Sequence, residues 1–137
     1  MKLLLDFGLL ILIWLVQLII YPSFQYIDRG QMAQWHSKYT LLITLVVMPL
    51  MLGQVVVHGA GLLRKTDTLA IGQAILIAAV WTVTFLKAVP LHNQIQQGNN
   101  LQGNIQMLIQ WNWPRTFLWT AVFVISLWQS KEGFFQR

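Results

Sequence analysis

The chain has no cysteine, only four acidic residues among 137, and just 9% charged side chains. Without cysteine there is no disulfide, thiolate nucleophile, iron–sulfur cluster, thioether-linked haem or cysteine zinc site. Four acids spread along the whole chain leave paired-carboxylate chemistry without a pair. A soluble domain carries about a quarter charged residues, so the scarcity of charge excludes an ordinary water-exposed surface. The net charge of +5 would suit nucleic acid, but the nine basic residues are scattered singly, with Arg64–Lys65 as the only adjacent pair. That spacing carries topology information and makes no binding stripe, so no nucleic-acid partner is expected.

What the chain has instead is apolar length. Hydrophobic residues make up 56% of it, gathered in long runs between short polar stretches. The pattern predicts an all-α, polytopic four-helix transmembrane bundle in one domain over residues 1–137, with the lipid bilayer as its solvent. The spans are expected at about 3–21, 39–58, 68–88 and 111–129. The first is followed by "YPSFQY" with no small-residue cleavage pattern, so a retained helix is expected. Pro49 stands in the middle of the second span, where a kink is expected. The apolar part of the fourth, "TFLWTAVFVISLW", has thirteen residues, about 20 Å at 1.5 Å per residue, too short to cross. Extension upstream through "WNWPR" to Trp111 restores the length and draws Arg115 into the membrane.

Four spans put both termini on one side. Lys2, Arg64, Lys65, Lys131 and Arg137 gather there, against Arg29 and Lys38 and the edge residues Lys87 and Arg115 opposite, which predicts cytoplasmic termini. The 21–39 and 88–110 stretches read as long polar connections. The tail of the second, with Ile105 and Leu108, reads as a short amphipathic helix lying along the interface. The two stretches echo one another. Each opens on a proline (Pro22, Pro90) and returns through a tryptophan and a basic residue to a threonine (Trp35, Lys38, Thr40; Trp113, Arg115, Thr116).

Sorted by side, the chemistry collects at the non-cytoplasmic end. His36, Lys87, His92, Asn93, Asn112 and Arg115 fall there, with Tyr21, Trp35, Trp111 and Trp113. Only His58 falls at the other end, and Asp6, close to the start of its span, is expected to be solvated. Charges at membrane depth face the bundle interior or a wet cavity, since lipid exposure costs a few kcal/mol or more. Trp35 and Trp113 also fit an aromatic belt, Lys87 fits snorkelling, and Arg115 fits a grip on lipid phosphate. Gln17, Gln54 and Gln73, inside spans, are expected to hydrogen-bond between helices. His36 and His92 offer a proton acceptor near neutral pH; a haem or a metal held between them is the alternative use of the pair, although a usual metal site wants three protein ligands.

The stretches "YPSF" (21–24), "WHSKYT" (35–40), "PLMLGQ" (49–54), "VPLHNQI" (89–95) and "NWPRT" (112–116) carry a resemblance. From about residue 15 to 128 the chain resembles the anthrone-oxygenase-like family of small four-helix membrane proteins, whose bacterial members are mostly of unknown function. His36, Pro90 with His92–Asn93, and Arg115–Thr116 match that pattern; Pro114 stands where it has an apolar residue. The resemblance implies a bacterial inner-membrane protein that oxygenates an activated polycyclic phenol without metal or flavin. His36 or His92 would be the base, and Arg115 with Lys87 would hold the anion. Tyr21, Trp35, Asn93, Trp111 and Asn112 would complete the ligand site. The alternative is a non-enzymatic lipid-binding or assembly subunit, in which the same residues grip head groups.

Overall fold

The computed structural model describes the backbone of residues 1–135 and side chains through Lys131. Arg137, one of the basic residues behind the expected orientation, lies outside the described residues. Among them are four long helices and no strand: α1 (Lys2–Tyr26), α2 (Arg29–Arg64), α3 (Thr68–Gln96) and α4 (Leu101–Phe135). Each expected span lies inside one helix. Each helix packs on its neighbour in sequence, and α4 closes the ring onto α1.

The long polar connections are not there. Only residues 27–28, 65–67 and 97–100 join the helices, because residues 29–39, 89–96 and 101–110 are helical. Capping explains α2: the Asp28 carboxylate accepts from Gly30 N at 2.8 Å, so the helix starts a full ten residues before its apolar run. The Asp67 carboxylate does the same for α3 from Ala70 N at 2.9 Å, and this bond holds its pKa below the ordinary value. The turn at 97–100 reverses direction through Gly98 at φ +75°, where a side chain would be strained. Ile105 and Leu108 do not lie along an interface. They are buried with Phe24, Met32 and Ile95 in one apolar cluster, since residues 101–110 continue straight into α4.

Pro22 and Pro90 share a local geometry that gives their echo a physical basis. Each follows a π-helical turn, Val16–Ile20 and Thr84–Ala88. Tyr21 N–H reaches Val16 O and Val89 N–H reaches Thr84 O, five residues back in both cases. The wide turn makes room for a proline ring that would otherwise strike the carbonyl four residues earlier. Helices α1 and α3 therefore continue past their prolines. Pro49 and Pro114 lie inside α2 and α4, which run on as α-helix through both positions.

The packing is inverted relative to a water-soluble domain. Phe7, Leu18, Leu45, Val56, Ile75 and Phe117 are exposed, while Asp6, Gln17, His36, Gln54, Gln73 and Arg115 are buried. A surface of that kind is stable only where the surroundings are themselves apolar. Three helices, α1, α2 and α3, are long and apolar enough to cross a membrane. At 36 residues, α2 spans about 54 Å, well beyond a hydrocarbon core of about 30 Å.

Candidate functional site

The π turns set Tyr21 and His92 on facing helices where they meet. Tyr21 Oη lies 3.0 Å from His92 Nε2, and His92 Nδ1 lies 2.9 Å from His36 Nε2 on α2. His36 Nδ1 lies 3.3 Å from Gln96 Oε1, one helical turn beyond His92. This four-residue string borders a cavity of about 370 Å³. Its walls are mainly apolar, with Leu12, Val16, Val47 and Met51 among them, and α4 adds one residue, Arg115. Phe24 supports the string from behind, edge-on to His36 and Tyr39.

Arg115 is only 6% exposed and is held at two points. Its Nη1 donates to Asn112 Oδ1 at 2.9 Å, and its guanidinium carbon lies 5.3 Å from the Trp119 ring centroid. Asn112 in turn donates through Nδ2 to Gln17 Oε1 at 2.9 Å, and the Thr116 hydroxyl reaches the same oxygen at 3.4 Å. The arginine is thus positioned by α1 as well as by its own helix. Its Nε is buried with no partner among the described residues, and so is Nε1 of Trp81, a second residue of the cavity wall. Both residues line the cavity, and an unpaired buried donor is costly until an acceptor oxygen reaches it.

The structure brings together Tyr21, His36, His92, Asn93 and Arg115 on this cavity, with Asn112 directly behind Arg115. It does not bring Trp35, Lys87 or Trp111 to the cavity wall. Trp35 stacks parallel on Tyr39 at 5.3 Å, and Lys87 Nζ sits over the Trp111 ring at 4.4 Å on the outer surface. Tyr39, Trp81 and Gln96 line the cavity without having been singled out. Two carried a legible signal: Tyr39 lies three residues after His36, and Gln96 four after His92, on the same helical stripes. No third histidine, cysteine or acid gathers with His36 and His92 among the described residues, and their facing nitrogens are joined by a hydrogen bond. As a donor set, that arrangement suits proton transfer better than metal ligation.

A second polar cluster occupies the other end of the bundle, and here the expectation for Asp6 is corrected. Asp6 is 1% exposed, not solvated. Its carboxylate accepts from Gln54 Nε2 and from Ser126 Oγ, both at 2.6 Å, and lies 3.0 Å from His58 Nε2. Trp119 Nε1 donates to Gln54 Oε1 at 3.1 Å, and Gln73 Nε2 donates to Ser126 Oγ at 2.7 Å. Every donor in the cluster leads toward one carboxylate, which satisfies a negative charge far from water. Burial follows from the stripes: Gln54 and His58, one turn apart on α2, and Ser126 on α4 enclose the first turns of α1.

No known family model, curated protein or solved structure matches this chain.

Proposed function

We propose that this protein is a four-span integral membrane protein whose His36–His92–Arg115 cavity binds an apolar small molecule carrying acceptor oxygens. The fourth span is α4. Averaged over all faces its polar residues dilute the apolar signal, yet Asn112, Arg115, Thr116 and Ser126 are buried while Phe117, Val124 and Trp128 face outward. Both termini are assigned to the cytoplasm, and the inner membrane of a bacterium is the proposed location. The observation that carries the proposal is the arrival of His36, His92 and Arg115, from three different helices, on one apolar-walled cavity.

The chemistry this supports is proton abstraction from an acidic carbon, followed by reaction of the anion with dioxygen, as the anthrone-oxygenase-like resemblance implies. A methylene between two aromatic rings loses a proton, and the delocalised anion adds dioxygen. The peroxide is then protonated and loses water to leave a ketone. The histidines supply the proton acceptor and Arg115 the counter-charge for the anion. The burial of Arg115 and its fixing by Asn112 and Trp119 favour this use over a grip on lipid phosphate. In the rival reading, a lipid-binding subunit, the cavity holds an acyl chain and no turnover occurs.

The test is oxygen uptake by the purified protein in nanodiscs supplied with anthrone. Uptake matched by anthraquinone formation, and lost in Arg115→Leu, is expected. Tight anthrone binding without uptake would leave a binding protein, and absence of both would remove the proposal.

A further inference from the structure

The string Tyr21–His92–His36–Gln96 has a polarity fixed by hydrogen-bond chemistry. Gln96 presents its carbonyl oxygen to His36 Nδ1, and a carbonyl oxygen only accepts, so His36 carries its proton on Nδ1. The neutral ring then has a lone pair on Nε2, and His92 must donate to it from Nδ1. His92 in turn is left with a lone pair on Nε2, which takes the Tyr21 hydroxyl proton. One acceptor at the end of the string sets all three protons pointing the same way.

This leaves neither histidine with a free lone pair: each imidazole acceptor is already filled by the donor before it. The free lone pairs of the string lie on Tyr21 Oη, a residue 3% exposed to solvent that forms part of the cavity wall. Resting on the proton-abstraction reading above, we infer that Tyr21 Oη is the atom that receives the ligand's proton and that His92 and His36 form a relay behind it. The ligand's C–H bond breaks and an Oη–H bond forms. The former hydroxyl proton passes to His92 Nε2, and the His92 Nδ1 proton passes to His36 Nε2. No proton is lost or gained overall. The ligand becomes an anion facing Arg115, and the positive charge comes to rest on His36, two hydrogen bonds away, with Gln96 Oε1 still accepting from its Nδ1. Run backward, the same string returns the proton to the peroxide anion and restores the starting tautomers.

The separation of charge explains why two histidines are used where one would accept a proton. With one histidine the cation would rest on His92, a single hydrogen bond from Tyr21. The relay moves it one imidazole further, to a ring whose two N–H groups both have acceptors, Gln96 Oε1 at Nδ1 and His92 Nδ1 at Nε2, which offsets the cost of burying the charge. Tyr21 owes its position to the π turn, whose last hydrogen bond ends on its own N–H. The same device on α3 brings His92 opposite.

The experiment uses the full chain in nanodiscs with 15N-labelled histidine. With three histidines in the sequence, His58→Gln removes one set of ring signals and His36→Gln tells the remaining two apart. The inference expects both His36 and His92 neutral, each protonated on Nδ1, and expects Tyr21→Phe to shift His92 Nε2 while leaving the His36 tautomer in place. A proton found on His92 Nε2 would mean that Tyr21 accepts rather than donates, and would overturn the relay. The second measurement is deuterium uptake at the anthrone methylene in D2O without oxygen. Tyr21→Phe should slow it tenfold or more with anthrone affinity unchanged; wild-type rates in that variant would overturn the inference. If the wild type itself exchanges nothing, the proton-abstraction reading fails, and the nitrogen spectrum still decides the polarity of the string.

Discussion

The Asp6 carboxylate on α1 and the His58 imidazole on α2 lie 3.0 Å apart, both almost entirely buried. Removing the carboxylate leaves His58, Gln54 and Ser126 without their common buried partner, which costs about 3–5 kcal/mol. Asp6→Leu should therefore destabilise the protein by about that much, read from its unfolding in mixed detergent. Asp6→Leu combined with His58→Leu should lose less than the two single changes together, as a double-mutant cycle reads directly. Strict additivity would show that the two groups do not depend on one another.

Arg115→Lys keeps the charge and gives up the fork. Lysine cannot hold Asn112 Oδ1, lie over Trp119 and present a second N–H to the cavity together. Anthrone affinity should fall tenfold or more, while the unfolding midpoint moves little. A variant that binds as the wild type does would point to a simple head-group contact.

Orientation is testable with single cysteines in a chain that has none. A membrane-impermeant maleimide on intact cells should label a cysteine placed at Asn99, in the α3–α4 turn, and miss one at Thr66. The reverse pattern would turn the protein over.

Pro90→Ala removes the ring that the Thr84–Ala88 turn accommodates. The turn is then free to close to α-helix, which rotates everything after it by about 100° per residue removed from the turn. His92 should leave Tyr21 and His36. Loss of anthrone binding with unchanged helix content by circular dichroism is the expected result; retained binding would show that packing alone holds the π turn.

Much of this architecture was legible because certain residues have few options in an apolar run. Gln17, Gln54 and Gln73 had to pair across helices, and they do. The meeting of His36, His92 and Arg115 followed from sorting polar residues by bundle end. The polar stretches at 21–39 and 88–110 read as connections because of their polar composition, yet most of their length is helix. Their glutamines and asparagines sit on helices whose apolar positions, Met32, Leu91, Ile95 and Ile105, are buried. Asp28 was a readable N-cap for the first of them. Asp6 was misread because its nearness to the helix start was weighed alone: Gln54 and His58, four residues apart on one face of the second span, and Ser126 on the fourth close over the carboxylate.

The hydrogen bonds that cross both diagonals of the ring, Tyr21 to His92 and Trp119 to Gln54, have a consequence for sliding. Lipid tails are as apolar as leucine, so greasy helices in a membrane lose little when one slips along another. A slip of a single turn, about 5.4 Å, would preserve most apolar contact here, yet whichever helix moves breaks one diagonal, and a slip of α1, α2 or α4 breaks the Asp6 cluster with it. These buried polar residues act as teeth, and they give an otherwise slippery bundle one vertical alignment.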